Sequence, residues 1–186
     1  MPTPLRKDAL RSRRAILDAA RELYRDDTTA SFGEIAVCAG VGQATVYRHF
    51  ADRRALLAAL AAEDMGALEE RIAAEEEIGP DSLEQLLREV IDAQLRSQGL
   101  IGAIRAGEVE EAQVQGLTER VRDLFAPRLE AARAAGRVRP DLTPDDVIVV
   151  VSMIDGALAP VRNRAEREAV AARAFELVTD GLRLRK

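Results

Sequence analysis

Between its turn-forming breaks this chain repeats one pattern: apolar side chains three and four residues apart, the spacing that gathers them on one side of a helix. Ile16, Ala19, Ala20 and Leu23 show it, then Phe32, Ile35, Ala36 and Ala39, then Leu56, Leu57, Leu60, Leu68 and Ile72. Leu83, Leu87, Val90, Ile91 and Leu95 repeat it, as do Ala171, Ala174, Phe175, Val178 and Leu182. Strands would alternate with period two, and a sheet core draws on aromatic and β-branched residues. Aromatics make up only 3% of the 186 residues, so the interior must be built mainly from Ala, Leu, Val and Ile. The expected fold class is all-α.

Helix start and stop signals divide the pattern. A first helix is expected over 8–25, followed by the polar break "DDTTA". Ser31 with Glu34 three residues on has the form of a capping box, and Gly40 suits the left-handed position that closes a helix. A short helix over 42–50 follows, and Asp52 can cap a long one that runs to the "GP" at 79–80. Asp81 and Glu84 suggest another capping box. Gly99 and Gly102 are expected to interrupt, leaving a short segment around Ile104. Thr118 to Ala135 should be helical, with Pro127 kinking or splitting it. The run Val147–Val151 fits either a buried strand or a helix, but Thr143 at a cap, Pro144 at the first helical position and Asp145 and Asp146 in the first turn favour helix. The last helix is expected over 162–184.

Charge is distributed unevenly along the chain. Residues 1–60 carry 10 Arg or Lys against 7 Asp or Glu, whereas 61–186 carry 17 against 25. A basic head joined to an acidic body suits a polyanion partner at one end. One Cys and one His exclude an intrachain disulfide and a Cys/His zinc cluster, so no metal or cofactor is expected. A Ser-His-Asp hydrolase would need that same His49, and no paired polar constellation points to an enzyme. There is no run of 18 apolar residues and no apolar region near the start, so no membrane association and a cytoplasmic location are expected. The acidic runs at 75–77 and 108–111 read as solvated faces, and Cys38 as filling a small site in or near the second helix.

Two short helices joined by "AGV" form a helix-turn-helix. On the second, Val46 and Phe50 share the inward face, which leaves Gln43, Thr45, Tyr47, Arg48 and His49 outside. Arg and Gln can make paired hydrogen bonds to base edges, and Thr can meet a thymine methyl. Tyr47, His49 and Arg53 can reach phosphate oxygens, and Arg6, Lys7, Arg11, Arg13 and Arg14 add positive charge. The alternatives are an ordinary exposed histidine at position 49 and a plain solvated helix end at the N-terminal arginines.

The stretch "FGEIAVCAGVGQATVYRHFADRRALLAAL" resembles the DNA-binding domain of the TetR family of bacterial regulators. Ile35, Ala36, Ala39, Gly40, Val41, Thr45, Tyr47, Phe50 and Leu56 match the family pattern in register, and "AILDAARELY" resembles its first helix. The likeness covers residues 10–60. "RAGEV" and "LEAARAAGRVRPDLTPDDV" resemble C-terminal domains of one branch. Gly42 stands where the family usually has a capping Ser, Ala44 where Gly is common, and Arg53 where Lys is usual.

The resemblance implies a helix-turn-helix DNA-binding domain over 1–53 and a helical effector-binding and dimerisation domain over 54–186. Arg14, Ser31, Gly33 and Ala44 would join Gln43, Thr45, Tyr47, Arg48, His49 and Arg53 at the DNA. Met65, Leu68, Ile72, Leu87 and Ile91, with Leu95, Ile104, Phe125 and Met153, are expected around a small, apolar effector. Val150 and Ile154 on one helix, and Ala171, Ala174, Phe175, Val178 and Leu182 on the next, are expected to pair with a second copy. The function expected is a one-component repressor that binds a palindromic operator on double-stranded DNA as a homodimer and is released by effector. The alternative is a constitutive DNA-binding or architectural protein with no effector.

Overall fold

The computed structural model describes residues 4–26, 29–74 and 77–183, with side chains from residue 8 onward. Asp27, Thr28, Glu75, Glu76 and the side chains of Arg6 and Lys7 lie outside the described residues. The helices are α1 (Pro4–Leu23), α2 (Phe32–Ala39), α3 (Gln43–His49), α4 (Arg53–Ala73), α5 (Ser82–Arg96), α6 (Gln98–Arg105), α7 (Glu111–Ala134), α8 (Pro144–Leu158) and α9 (Arg164–Leu182). Among the described residues the one β pairing is an isolated antiparallel bridge between Val138 and Arg183. No helix among them is long and apolar enough to cross a membrane.

The chain divides into two compact units. The first contains residues 1–64 together with 97–114, and the second 65–96 together with 115–186. In the first, α1 packs on α2 and α3. Ile16, Leu17 and Ala20 of α1, Ile35 of α2, Val46 of α3 and Leu56 and Leu57 of α4 are all fully buried there. Arg21 on α1 holds α4 through Asp64 and Glu63, each at 2.9 Å, and Asp64 also accepts from Ser97 Oγ at 3.1 Å. The Gly99 N–H donates to the Arg25 carbonyl at 3.1 Å. These bonds place α6 in the first unit.

In the second unit α5, α8 and α9 pack on one another around a core that includes Leu86, Leu87, Phe125, Leu129 and Leu158. Arg120 of α7 grips Glu69 of α4 with Nε and Nη2 at 2.7 and 2.5 Å. The Arg88 guanidinium lies 4.1 Å from the centre of the Phe175 ring, joining α5 to α9. α8 starts at a full capping box: Thr143 Oγ1 accepts from the Asp146 N–H at 3.2 Å, and the Asp146 carboxylate accepts from the Thr143 N–H at 2.8 Å. The valine run is therefore helical, as its start signals predict.

Three expectations fail in whole or in part, for identifiable reasons. Gly99 and Gly102 sit inside α6 and do not interrupt it; burial of Leu100 and Ala103 outweighs the roughly 1 kcal/mol that a helical glycine costs. α7 begins at Glu111 and runs through Pro127 to Ala134 without splitting, since Phe125 and Leu129 are fully buried on either side of the proline. Asp81 and Glu84 form no capping box. They lie 3.6 Å from Arg137 and 3.4 Å from Arg183, while Ser82 Oγ accepts from the Gly79 N–H.

Candidate nucleic-acid interface

The candidate surface is built on two local closures. Ser31 caps α2: its Oγ accepts from the Glu34 N–H at 3.3 Å, and the Glu34 carboxylate accepts from the Ser31 N–H at 2.8 Å. That N–H, and then the Ser31 hydroxyl, hold the Glu34 carboxyl below the usual carboxylate range. At the other end Gly40 takes φ 65, and the Val41 N–H returns to the Ala36 carbonyl at 3.0 Å. Only glycine adopts this conformation without strain. The chain then re-enters a helix at Gly42, which offers no side-chain cap to α3.

On α3, Val46 and, just past its end, Phe50 are buried, and they fix the helix against the first unit's core. Gln43, Ala44, Tyr47 and Arg48 are exposed, and Thr45 and His49 are half-buried. The Tyr47 ring leans on Phe32 of α2, with centroids 5.0 Å apart and planes at 57°. A methyl group at Gly33 would stand 3.9 Å from Gln43 Nε2, so α2 and the first turn of α3 meet there with space to spare. Arg13 reaches from α1 over the Phe50 ring at 5.4 Å. Arg14 is exposed, and Arg11 pairs with Asp8 at 3.3 Å.

His49 is less open than the sequence suggests. Its Nε2 is buried and has no hydrogen-bond partner among the described residues, which leaves Nδ1 as the nitrogen available to a phosphate. Burial first, then the charges of Arg48 and Arg13, hold its imidazole below the ordinary value of 6.5, so it is neutral near pH 7. Arg53 is also engaged: its Nε lies 3.0 Å from Glu108 Oε2, and its guanidinium sits 5.7 Å from the centre of the Tyr24 ring. The run at 108–111 is thus more than a solvated face. Cys38 is exposed on α2 and fills no internal site, because the buried face of this short helix carries Ile35 and Ala36.

The family described as "Bacterial regulatory proteins, tetR family" matches residues 16–60. That described as "Transcriptional regulator SbtR-like, C-terminal domain" matches residues 79–184. The chain belongs to the TetR family. The transcriptional repressor LfrR of Mycolicibacterium smegmatis is 46% identical over 89 residues, which are 46% of this chain and 44% of that protein. A TetR regulatory protein from Mycobacterium vanbaalenii shares 27% identity and the fold, with a TM-score of 0.70 over 97% of this chain and 100% of that one. SCO0520, a TetR regulator of Streptomyces coelicolor, is 28% identical with a TM-score of 0.65 over 94% and 99%. TetR-family members are DNA-binding transcription regulators and not enzymes.

In this TetR-family chain, six of the residues expected around an effector come together in the second unit. Met65, Leu68, Ile72, Leu87, Ile91 and Phe125 are buried in its core, with Leu95 packed against them. Two do not join them. Ile104 belongs to the first unit, because Ser97 and Gly99 tie α6 to Asp64 and Arg25. Met153 is 62% exposed, because the inward side of α8 is taken by Val147, Ile154 and Leu158. A cavity of about 270 Å³ in the same unit has a different lining, which includes Leu83, Val138, Asp81, Glu84, Arg137 and Arg183.

The residues expected to meet a second copy mostly serve this chain's own interior. Ile154, Ala171, Phe175 and Leu182 are buried within it, and Val150, Ala174 and Val178 are half-buried against that core. The stronger apolar stripe of a helix goes to its own core, and the weaker stripe stays outside. Here the outer stripe carries Val149, Met153 and Leu177, each more than half exposed, with Gly156 and Ala157 beside them on α8.

Proposed function

We propose that this chain is a homodimeric, effector-responsive transcriptional repressor acting in the cytoplasm on a palindromic operator. The observation that carries the reading is the exposed face of α3, where Gln43, Ala44, Tyr47 and Arg48 project from a helix locked by Val46 and Phe50. Arg48 and Gln43 have the paired donors that guanine and adenine edges accept, and Thr45 has a methyl for thymine. Tyr47, His49 through Nδ1, Arg53 and Arg14 meet phosphates, with the Ser31–Gly33 start of α2 beside the backbone. The DNA-binding domain is residues 1–53, and 54–186 bind effector and partner. A regulator named as a repressor among its relatives supports repression.

Dimerisation covers Val149, Met153 and Leu177, with Val150, Ala174 and Val178 at the margin. Two recognition helices then enter half-sites about 34–36 Å apart or a multiple of that. The effector is a small apolar molecule admitted among Met65, Leu68, Ile72, Leu87, Ile91, Leu95 and Phe125. It must bind the conformation that does not fit the operator more tightly, since otherwise no equilibrium shifts. Selection from random duplexes followed by mobility shifts tests the reading. Recovery of a palindrome is expected, and recovery of no common sequence would sink it.

A constitutive DNA-binding protein is the second reading, and one observation favours it: Leu87 and Phe125 are at most 1% exposed, so these two side chains are packed closely by the chain itself. Thermal shift against a library of apolar small molecules separates the two. A ligand that raises the melting temperature and weakens operator binding supports the repressor, and silence across the library supports the constitutive protein.

A further inference from the structure

The acidic stretch Glu108–Glu111 has no part in reading DNA, yet two of its carboxylates occupy the cations at the start of α4. The turn between α6 and α7 is shaped to deliver them. Gly107 takes φ 76, and Val109 is buried at 3% exposure, which anchors the turn in the first unit. The residues on either side of Val109 both reach α4. Glu108 Oε2 lies 3.0 Å from Arg53 Nε, and Glu110 pairs with Arg54, whose Nη2 also donates to the Gly107 carbonyl at 3.3 Å.

Arg53 and Arg54 follow the recognition helix by only three residues. A phosphate oxygen and a carboxylate oxygen ask the same thing of a guanidinium, and Glu108, set against the buried Nε of Arg53, already offsets the charge that a phosphate would meet. We propose that the α6–α7 turn is an intramolecular competitor for the DNA backbone: Glu108 holds Arg53 in the place of a phosphate, and Glu110 does the same for Arg54. The inference rests on the reading of Arg53 as a phosphate contact. DNA affinity then depends on where this turn sits, and moving α6 changes that affinity while α3 stays as it is. Loss of the Glu108 carboxylate frees a cation and strengthens binding to any duplex. The pair is partly solvated, at 38% and 40% side-chain exposure, so the gain is modest.

Phosphate contacts carry no sequence information, so a fluorescent duplex of random sequence is a sufficient probe for anisotropy titration. Glu108→Gln is expected to bind it about two- to fivefold more tightly than the unaltered chain. In an Arg53→Ala background the same substitution should lose most of that gain, leaving only the effect of net charge. A gain that persists undiminished without Arg53 overturns the competition, as does a Glu108→Gln protein that binds equally or more weakly. If Arg53→Ala alone leaves binding unchanged, the phosphate reading of Arg53 has failed, a result distinct from failure of the competitor. Circular dichroism melting checks each variant's fold. Glu110→Gln with Arg54→Ala repeats the cycle at the second pair and decides the matter should a Glu108 variant fail to fold.

Discussion

Burial, and then the charges of Arg48 and Arg13, hold the His49 imidazole below its ordinary value, and that predicts how single side chains on α3 behave. The folded chain binds the His49 proton less tightly than the unfolded chain does. Stability is therefore full above the ordinary histidine value and is lost as pH falls through it toward the depressed one. Between about pH 7 and about pH 5 the melting temperature of the unaltered chain should fall more steeply than that of His49→Gln. Equal slopes would show that the buried Nε2 edge takes up its proton freely. Arg48 is exposed on the face proposed to read bases, so Arg48→Ala should weaken specific binding by about 1–3 kcal/mol and leave random DNA nearly unaffected. Equal loss on both duplexes would make it a phosphate contact. The exposed face of α3 is legible in the sequence because Val46 and Phe50 are four residues apart and claim the inward side. The burial of His49 Nε2 is not, because it arises only in the folded chain, as does the charge that reaches the imidazole from Arg13, on a helix thirty-odd residues earlier.

Helix ends are decided within four residues, and that is why the sequence alone marks them. The Ser31–Glu34 box, the left-handed Gly40 and the Thr143 cap stand where the local pattern places them, whereas Asp81 and Glu84 are drawn off to Arg137 and Arg183. Ser31→Ala should cost about 1 kcal/mol in chemical denaturation, since it orphans an N–H at the start of α2. Gly42→Ser should return a few tenths of a kcal/mol by supplying the cap that α3 lacks. A destabilised Gly42→Ser would mean that the glycine is required by the approach of another group. α6 departs from its local pattern for the opposite reason. Its two glycines are poor helix formers, and what holds it is distant: Arg25 receives the Gly99 N–H, and Asp64 receives the Ser97 hydroxyl. Propensity sees none of these partners.

At the scale of the whole molecule the chain must satisfy its own core before it can offer a surface to a copy of itself. Sequence periodicity finds apolar stripes but does not say which of two stripes on α8 and α9 turns inward. Ile154 and Phe175 go to the core, and Met153 and Leu177 remain outside. Met153→Glu with Leu177→Glu should therefore yield a folded monomer in light scattering, with circular dichroism unchanged. Phe175→Glu should instead cost about 3 kcal/mol or more, because it buries a charge where an aromatic ring now packs under Arg88. A dimer that survives the first pair of changes would move the contact elsewhere. Cys38 gives this scale its most direct measurement. It is the chain's one thiol, and it lies exposed on α2 within the DNA-binding head. A maleimide dye would couple at a single position per protomer, so labelling the proposed dimer with a mixture of two dyes yields a fraction that carries one donor and one acceptor. Energy transfer between them becomes a ruler for the separation of the two heads, read while operator or effector is added.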